Sequence, residues 1–289
     1  MTTALVLGGG GPVGVVWEVG VLAGLAEAGV DLSTADHIIG TSAGSIVGAR
    51  LALGQTPAEL AARGPIGVNA TGEGMPKVDP GSLAPIGALL FEAMTGARPV
   101  DEVVGDLGTL ATSTEPVIDE EGFIRLVGDA SLGETWPDRS YRCTAWNIDT
   151  REFTVWGADS GVPLGRAVAT SCSVPGVFPP ITIDGQRYMD GGVITASNAQ
   201  LAEGADTVVV ISVTSRIVPD FRDQLAISLD REIAELRAQG ATVELIEFDD
   251  ATAQATAGDL MSTASSAAVA ETAVVQGRAE ADRIGAVWG

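Results

Sequence analysis

Short runs of Val, Leu and Ile alternate along this chain with longer stretches in which apolar residues recur every three or four positions. The first kind predicts buried strands and the second amphipathic helices. Residues 4–7 are such a run. After a glycine loop at 8–14, residues Val15, Val16, Val19, Leu22 and Leu25 recur at helical spacing up to Gly29. Residues 36–39 read as a second strand. The helix after it runs to about Leu53 and closes at Gly54, and Thr56-Pro57 supply the N-cap and first position of a short helix. Helices are predicted over 82–95 and 100–112, with another within 115–134. From residue 141 the period shortens to two: 141–148 and 152–156 flank Asp149-Thr150-Arg151 as a β-hairpin. A helix at 163–171 and a proline-rich crossing at 175–180 follow. Short strands at 181–183 and 186–189 then flank the turn Asp184-Gly185. Residues 206–213 are apolar on both faces, as in a parallel strand covered on two sides. A helix at 221–239, a strand at 242–248 and one or two helices within 258–284 complete the order.

Strands alternating with helices predict a doubly wound α/β fold with a mostly parallel central sheet. No linker divides the chain, so residues 1–289 are expected to form one domain. Residues 64–80, dense in Gly, Pro and Asn, lack periodicity and are expected to be a loop that serves as a lid. Internal repeats are absent.

Composition narrows the classes of partner. Against 16 basic residues stand 38 acidic ones, a net charge of −22, which disfavours nucleic acid and unaided docking on anionic membranes. Aromatic residues are 4% of the chain, so the core must be built from Val, Leu, Ile and Ala. Cys143 and Cys172 fit no metal-ligand spacing and are expected to be buried, reduced thiols. The N-terminus has no basic region ahead of its apolar run and reads as a strand rather than a leader. With no membrane span predicted either, a cytoplasmic location is expected.

Chemistry concentrates in three places. Gly40-Thr41-Ser42-Ala43-Gly44, between a strand and a helix, has the form of a nucleophile elbow. The loop Gly8-Gly9-Gly10-Gly11-Pro12-Val13-Gly14 is open to three readings. It fits an oxyanion hole, a plain tight turn, or, with Gly9 to Gly14 spelling Gly-x-Gly-x-x-Gly and Asp31 placed to hold a ribose, a dinucleotide loop. The third place is Asp190-Gly191-Gly192. A serine nucleophile needs a base, and the chain's one histidine, His37, lies in the strand that feeds the elbow, with its ring directed off the sheet. A Ser-His-Asp triad is therefore disfavoured, and a carboxylate must serve if Ser42 reacts.

The ordered set of glycine loop, Gly-x-Ser-x-Gly, Pro175-Gly176-Val177-Phe178-Pro179-Pro180 and Asp-Gly-Gly resembles the patatin-like phospholipase family, lipid acyl hydrolases with a Ser–Asp dyad. The resemblance implies a three-layer α/β/α fold and hydrolysis of lipid esters without metal or cofactor. Ser42 would then be the nucleophile and Asp190 its base. Backbone N–H groups of Gly9, Gly10 and Gly11 would form the oxyanion hole, with Ala43 as a further donor. Gly14 would allow close packing of loop and helix, and Gly40, Gly44, Gly191 and Gly192 would support the motifs. The partner would be a lipid or acyl ester, met in transient contact with a membrane surface. Val13 departs from the pattern, standing where the family usually carries Arg or Lys, which weakens the expectation of a phosphate-bearing substrate. Two other readings stay open: a catalytically silent member that binds a lipid or partner, and a nucleotide-binding oxidoreductase. Leu89, Leu90, Phe91 and Met94 are candidates for an acyl groove, although the core face of a helix is the plainer reading.

Overall fold

The computed structural model describes residues 1–63, 84–94, 97–213, 222–256 and 258–289. Its sheet has, among the described residues, eight strands: β1 (Thr3–Leu7), β2 (His37–Gly40), β3 (Ser140–Asn147), β4 (Phe153–Trp156), β5 (Ile181–Ile183), β6 (Gln186–Asp190), β7 (Thr207–Ile211) and β8 (Thr242–Ile246). The order is β5-β6-β3-β2-β1-β7-β8, with β4 paired to β3. The pairs β3–β2, β2–β1, β1–β7 and β7–β8 are parallel. The hairpin strands β4, β5 and β6 run antiparallel to their neighbours.

The central strands β1 and β7 are apolar on both faces because both are covered. In β1, Leu5 and Leu7 join the cluster formed with α1 (Gly11–Glu27), α2 (Ala43–Ala52) and α10 (Ser266–Trp288), while Ala4 and Val6 face Leu229, Ile233 and Leu236 of α8 (Arg222–Ala238). Side chains alternate across a strand, so this division places helices on opposite sides of the sheet and gives three layers. Apart from the buried Glu18 and the terminal Glu27, α1 is apolar all round, and it lies buried against the sheet, α2 and α10. Its seam with α10 is made of small residues: a methyl group at Gly20 would sit 2.5 Å from Ala273 Cβ.

Local signals place most elements. The short helix α3 (Pro57–Ala62) has the expected Thr56 cap, completed by Glu59 as a capping box. The remaining helices are α4 (Ala84–Met94), α5 (Val100–Ser113), α6 (Glu120–Leu132), α7 (Leu164–Ser171) and α9 (Asp250–Ala255). The helix expected within 115–134 begins only where Asp119 caps it, its carboxylate accepting from Gly122 N–H at 2.6 Å. Its counterpart α9, capped by Asp249 in the same way, was not expected at all. The lid expected at 64–80 lies outside the described residues. No described helix is long and apolar enough to cross a membrane.

Candidate active site

Ser42 stands between the end of β2 and the first turn of α2, with φ 51° and ψ −118°. A positive φ strains a residue with a side chain, by about 1–3 kcal/mol, and survives only where the surroundings enforce it. Here they do. Thr41 N–H donates to Leu7 O and Gly44 N–H to Gly8 O, both at 2.9 Å, which clamps the turn against the end of β1. Gly44 must be glycine, because a methyl group there would sit 2.2 Å from the Leu7 carbonyl oxygen. Gly40 ends β2 just below. The Ser42 N–H donates to Ser171 Oγ at 3.0 Å, and its carbonyl accepts from Ser45 Oγ at 2.6 Å and Cys172 Sγ at 3.2 Å. With its peptide groups held, the serine directs its hydroxyl at Asp190.

The aspartate reaches it through the sheet. Strand β3 pairs with β2 up to Gly40↔Cys143, and with β6 from Ala145↔Asp190 onward. Its other edge is taken by β4. Strands β2 and β6 therefore share one edge of β3, end against end, and the C-terminal residue of β6 arrives beside the turn that leaves β2. Ser42 Oγ donates to Asp190 Oδ2 at 2.7 Å. Asp190 Oδ1 accepts from Gly192 N–H, also at 2.7 Å. Gly191 passes so close to β3 that a methyl group would meet Thr144 Oγ1 at 2.2 Å. Asp190 is 4% exposed, and burial pushes its carboxyl up to about 7, against the pull of the Gly192 N–H and the Ser42 hydroxyl. His37 is elsewhere, its Nδ1 2.9 Å from Ser140 Oγ at the opening of β2 and β3.

Polar residues that the sequence motifs did not single out hold this pair in place. Asn198 is in the left-handed region and extends Nδ2 toward Thr41 Oγ1 (3.0 Å) and the Gly191 carbonyl (3.2 Å). Thr41 Oγ1 is also 3.0 Å from Thr144 Oγ1. The loop that carries Asn198 is tied to α8 by the buried Glu232 carboxylate, which accepts from Thr195 Oγ1, from Ser197 Oγ at 2.8 Å and from Ala199 N–H at 2.8 Å.

The glycine loop lies against Ser42. A methyl group at Gly9 would sit 3.4 Å from Ser42 Cβ, and one at Gly14 would sit 3.3 Å from Ala43 Cβ. The Gly9 N–H, however, donates to the Ala196 carbonyl at 2.8 Å. Of the three glycines expected to offer donors, Gly10 and Gly11 have N–H groups with no acceptor among the described residues, as does Ala43 at the start of α2. Asp31 has a structural task beyond the far end of α1, where its side chain accepts from Ser33 N–H at 2.9 Å and caps a 3-10 turn. The 17 residues of α1 separate it from the loop by roughly 25 Å, which removes the ribose contact of the dinucleotide reading.

Beside Ser42 opens a small cavity of about 50 Å³, open to solvent on one side and walled by Pro12, Val15, Ile46, Phe123, Val127 and Phe178. Phe123 and Phe178 stack with ring centres 4.5 Å apart. Charged side chains are missing from its described lining. Val13 does not line it, being 0% exposed, with its N–H on the Leu260 carbonyl at 3.2 Å. Nor does α4: Leu89 packs on the core, Phe91 is 41% exposed, and the side chains of Leu90 and Met94 lie outside the described residues.

The profile of the family described as patatin-like phospholipase matches residues 5–202. The chain belongs to that family. Among curated relatives of this patatin-like chain are two lysophospholipases named nte1. That of Aspergillus oryzae is 28% identical over 227 residues, covering 77% of this chain and 12% of the relative. That of Aspergillus niger is 26% identical over 224 residues, covering 78% and 12%. The chain thus spans about an eighth of their length. Solved structures similar to it include VipD from Legionella pneumophila, at 14% identity and TM-score 0.46, covering 98% of this chain and 67% of that one. The type III effector protein ExoU is similar at 15% identity and TM-score 0.43, covering 98% and 53%.

Proposed function

We propose that this chain hydrolyses lipid acyl esters with Ser42 as nucleophile and Asp190 as its base. The observation that carries the reading is the 2.7 Å hydrogen bond from Ser42 Oγ to a carboxylate that no cation among the described residues neutralises. Asp190 Oδ2 takes the hydroxyl proton as Ser42 Oγ bonds to the ester carbonyl carbon and the carbonyl electrons move onto oxygen. The N–H groups of Gly10, Gly11 and Ala43 face that oxygen, and one such donor typically contributes ~3 kcal/mol. When the carbonyl re-forms, the alcohol oxygen leaves with the proton from Asp190, and the acyl group stays on Ser42. Water then loses a proton to Asp190 and attacks the acyl carbon. Ser42 Oγ departs with that proton, and the fatty acid is free.

The apolar cavity suits the acyl chain. Its uncharged lining and the buried Val13 favour a neutral ester over one whose phosphate must sit beside the hole. The test is hydrolysis of p-nitrophenyl esters of increasing chain length by wild type, Ser42→Ala and Asp190→Asn. Loss of activity in both variants supports the dyad. Activity that survives Ser42→Ala overturns the dyad, and activity absent from wild type throughout favours the silent binding member. Faster cleavage of phosphatidylcholine than of a diacylglycerol with the same chains would defeat the neutral-ester reading alone.

A further inference from the structure

One face of α1 serves two cavities. Pro12 and Val15 wall the cavity at Ser42. Val15 continues, with Val16, Val19 and Gly20, into a second cavity of about 180 Å³, bounded also by Leu60 of α3 and Ala270 of α10 and open to solvent on one side. Positions 12, 15, 16, 19 and 20 form the stripe that one side of a helix presents, so the second cavity lies about one turn, roughly 5 Å, farther along α1. Pockets that take small ligands are lined predominantly by apolar side chains with a few polar groups, and this one is walled almost wholly by aliphatic residues. One polar atom interrupts the wall: Ser266 Oγ, on a residue 4% exposed, has no hydrogen-bond partner among the described residues. A buried hydroxyl left without a partner costs free energy that a bound acceptor would restore.

We propose that the second cavity holds the uncleaved acyl chain of a diacyl glycerolipid whose other chain lies in the cavity at Ser42. The occupant follows from the continuity at Val15. Two chains esterified to neighbouring glycerol carbons run side by side, and they need two apolar channels about a helical turn apart. Ser266 Oγ would then donate to the carbonyl oxygen of the second ester. The inference rests on the ester-hydrolase reading and adds to it a requirement for two chains, where the fungal relatives are named for one.

Ala61 and Ala267 are exposed on the rim of the second cavity, so Phe at either position narrows it from the solvent side without overfilling the core. The experiment compares kcat/KM for dioctanoylglycerol and monooctanoylglycerol in wild type, Ala61→Phe, Ala267→Phe and Ser266→Ala, with thermal melts as a check on folding. Wild type should prefer the diacyl ester by about tenfold, a factor that burial of two methylenes is sufficient to supply. Each variant should lose most of that preference while cleaving the monoacyl ester at the wild-type rate. No diacyl preference in wild type, or a parallel fall on both substrates, overturns the proposal. A Ser42→Ala protein that still cleaves the monoacyl ester defeats only the catalytic reading. In that same variant, binding of a pyrene-labelled diacylglycerol, weakened by Ala267→Phe, still reports on the second cavity, and binding unaffected by Ala267→Phe counts against it.

Discussion

Asn198 Nδ2 donates to Thr41 Oγ1 at 3.0 Å, joining the loop after β6 to the residue just before Ser42. The same nitrogen is 3.2 Å from the Gly191 carbonyl, so one carboxamide ties the serine turn to the aspartate turn. Replacing Asn198 with Ala leaves these buried groups short of a donor, a loss of about 1–3 kcal/mol. The expected result is a lower melting temperature and a kcat reduced about tenfold or more, with KM little changed. An unchanged kcat in a folded variant would show that the pin does not position the dyad.

As the proposed base, Asp190 must be ionised to accept a proton, and burial pushes its carboxyl up to about 7. Activity should therefore rise with pH through about 7 and level off above it, measured as kcat/KM on a soluble ester. For stability the sign is opposite. The folded state favours the protonated form, so the cost of ionising Asp190 grows as pH climbs from 3.8 to about 7. Asp190→Asn, which keeps a partner for both Ser42 Oγ and Gly192 N–H, should melt higher than wild type at pH 8, with the difference vanishing toward pH 4. Equal melting temperatures across that range would contradict the burial argument.

Gly44→Ala forces a methyl group against Leu7 O at 2.2 Å, and the neighbours are backbone that cannot give way cheaply. The expected loss is at least 3 kcal/mol, seen as a large fall in melting temperature or failure to accumulate folded protein. A variant that melts like wild type would mean the turn is looser than its hydrogen bonds imply.

Restoring the family's usual basic residue at Val13 should not create a phosphate site. The side chain there is fully buried, and an unpaired ammonium in that place costs about 3–5 kcal/mol. Val13→Lys is expected to destabilise the fold, with no gain in phosphatidylcholine hydrolysis over wild type.

Both thiols should resist modification. Burial pushes Cys143 up to about 12, and burial together with the Asp190 charge pushes Cys172 well above the usual thiol range. Native protein incubated with iodoacetamide at pH 8 should retain its activity and remain unlabelled by mass spectrometry until it is denatured.

The strand–turn–helix around Ser42 is legible in the sequence because its signals are local: an apolar run, small residues at the bend, and a second apolar run. The same holds for the Tyr141 hairpin and for the doubly covered run at β7. The bonds that align the site carry no such signal. Ser171 lies 129 positions from Ser42, Asn198 lies 157 from Thr41, and Glu232 lies 35 from Ser197. Each is a polar residue without periodicity whose partner is set by the way the sheet is wound. The glycine loop shows the limit most directly. Gly9, Gly10 and Gly11 are alike in sequence, and it is Ala196, delivered from the far side of the site, that engages one N–H and leaves the other two.

Because β2 and β6 meet end to end along β3, the separation of Ser42 and Asp190 is written into a ladder of strand hydrogen bonds rather than into a flexible loop. Slipping β6 by a single residue would turn the carboxylate to the opposite face of the sheet. With Ser42 and Asp190 acting as proposed, turnover is a gauge of strand register: slow exchange of the β3 and β6 amides and full catalytic competence should be gained, and lost, together.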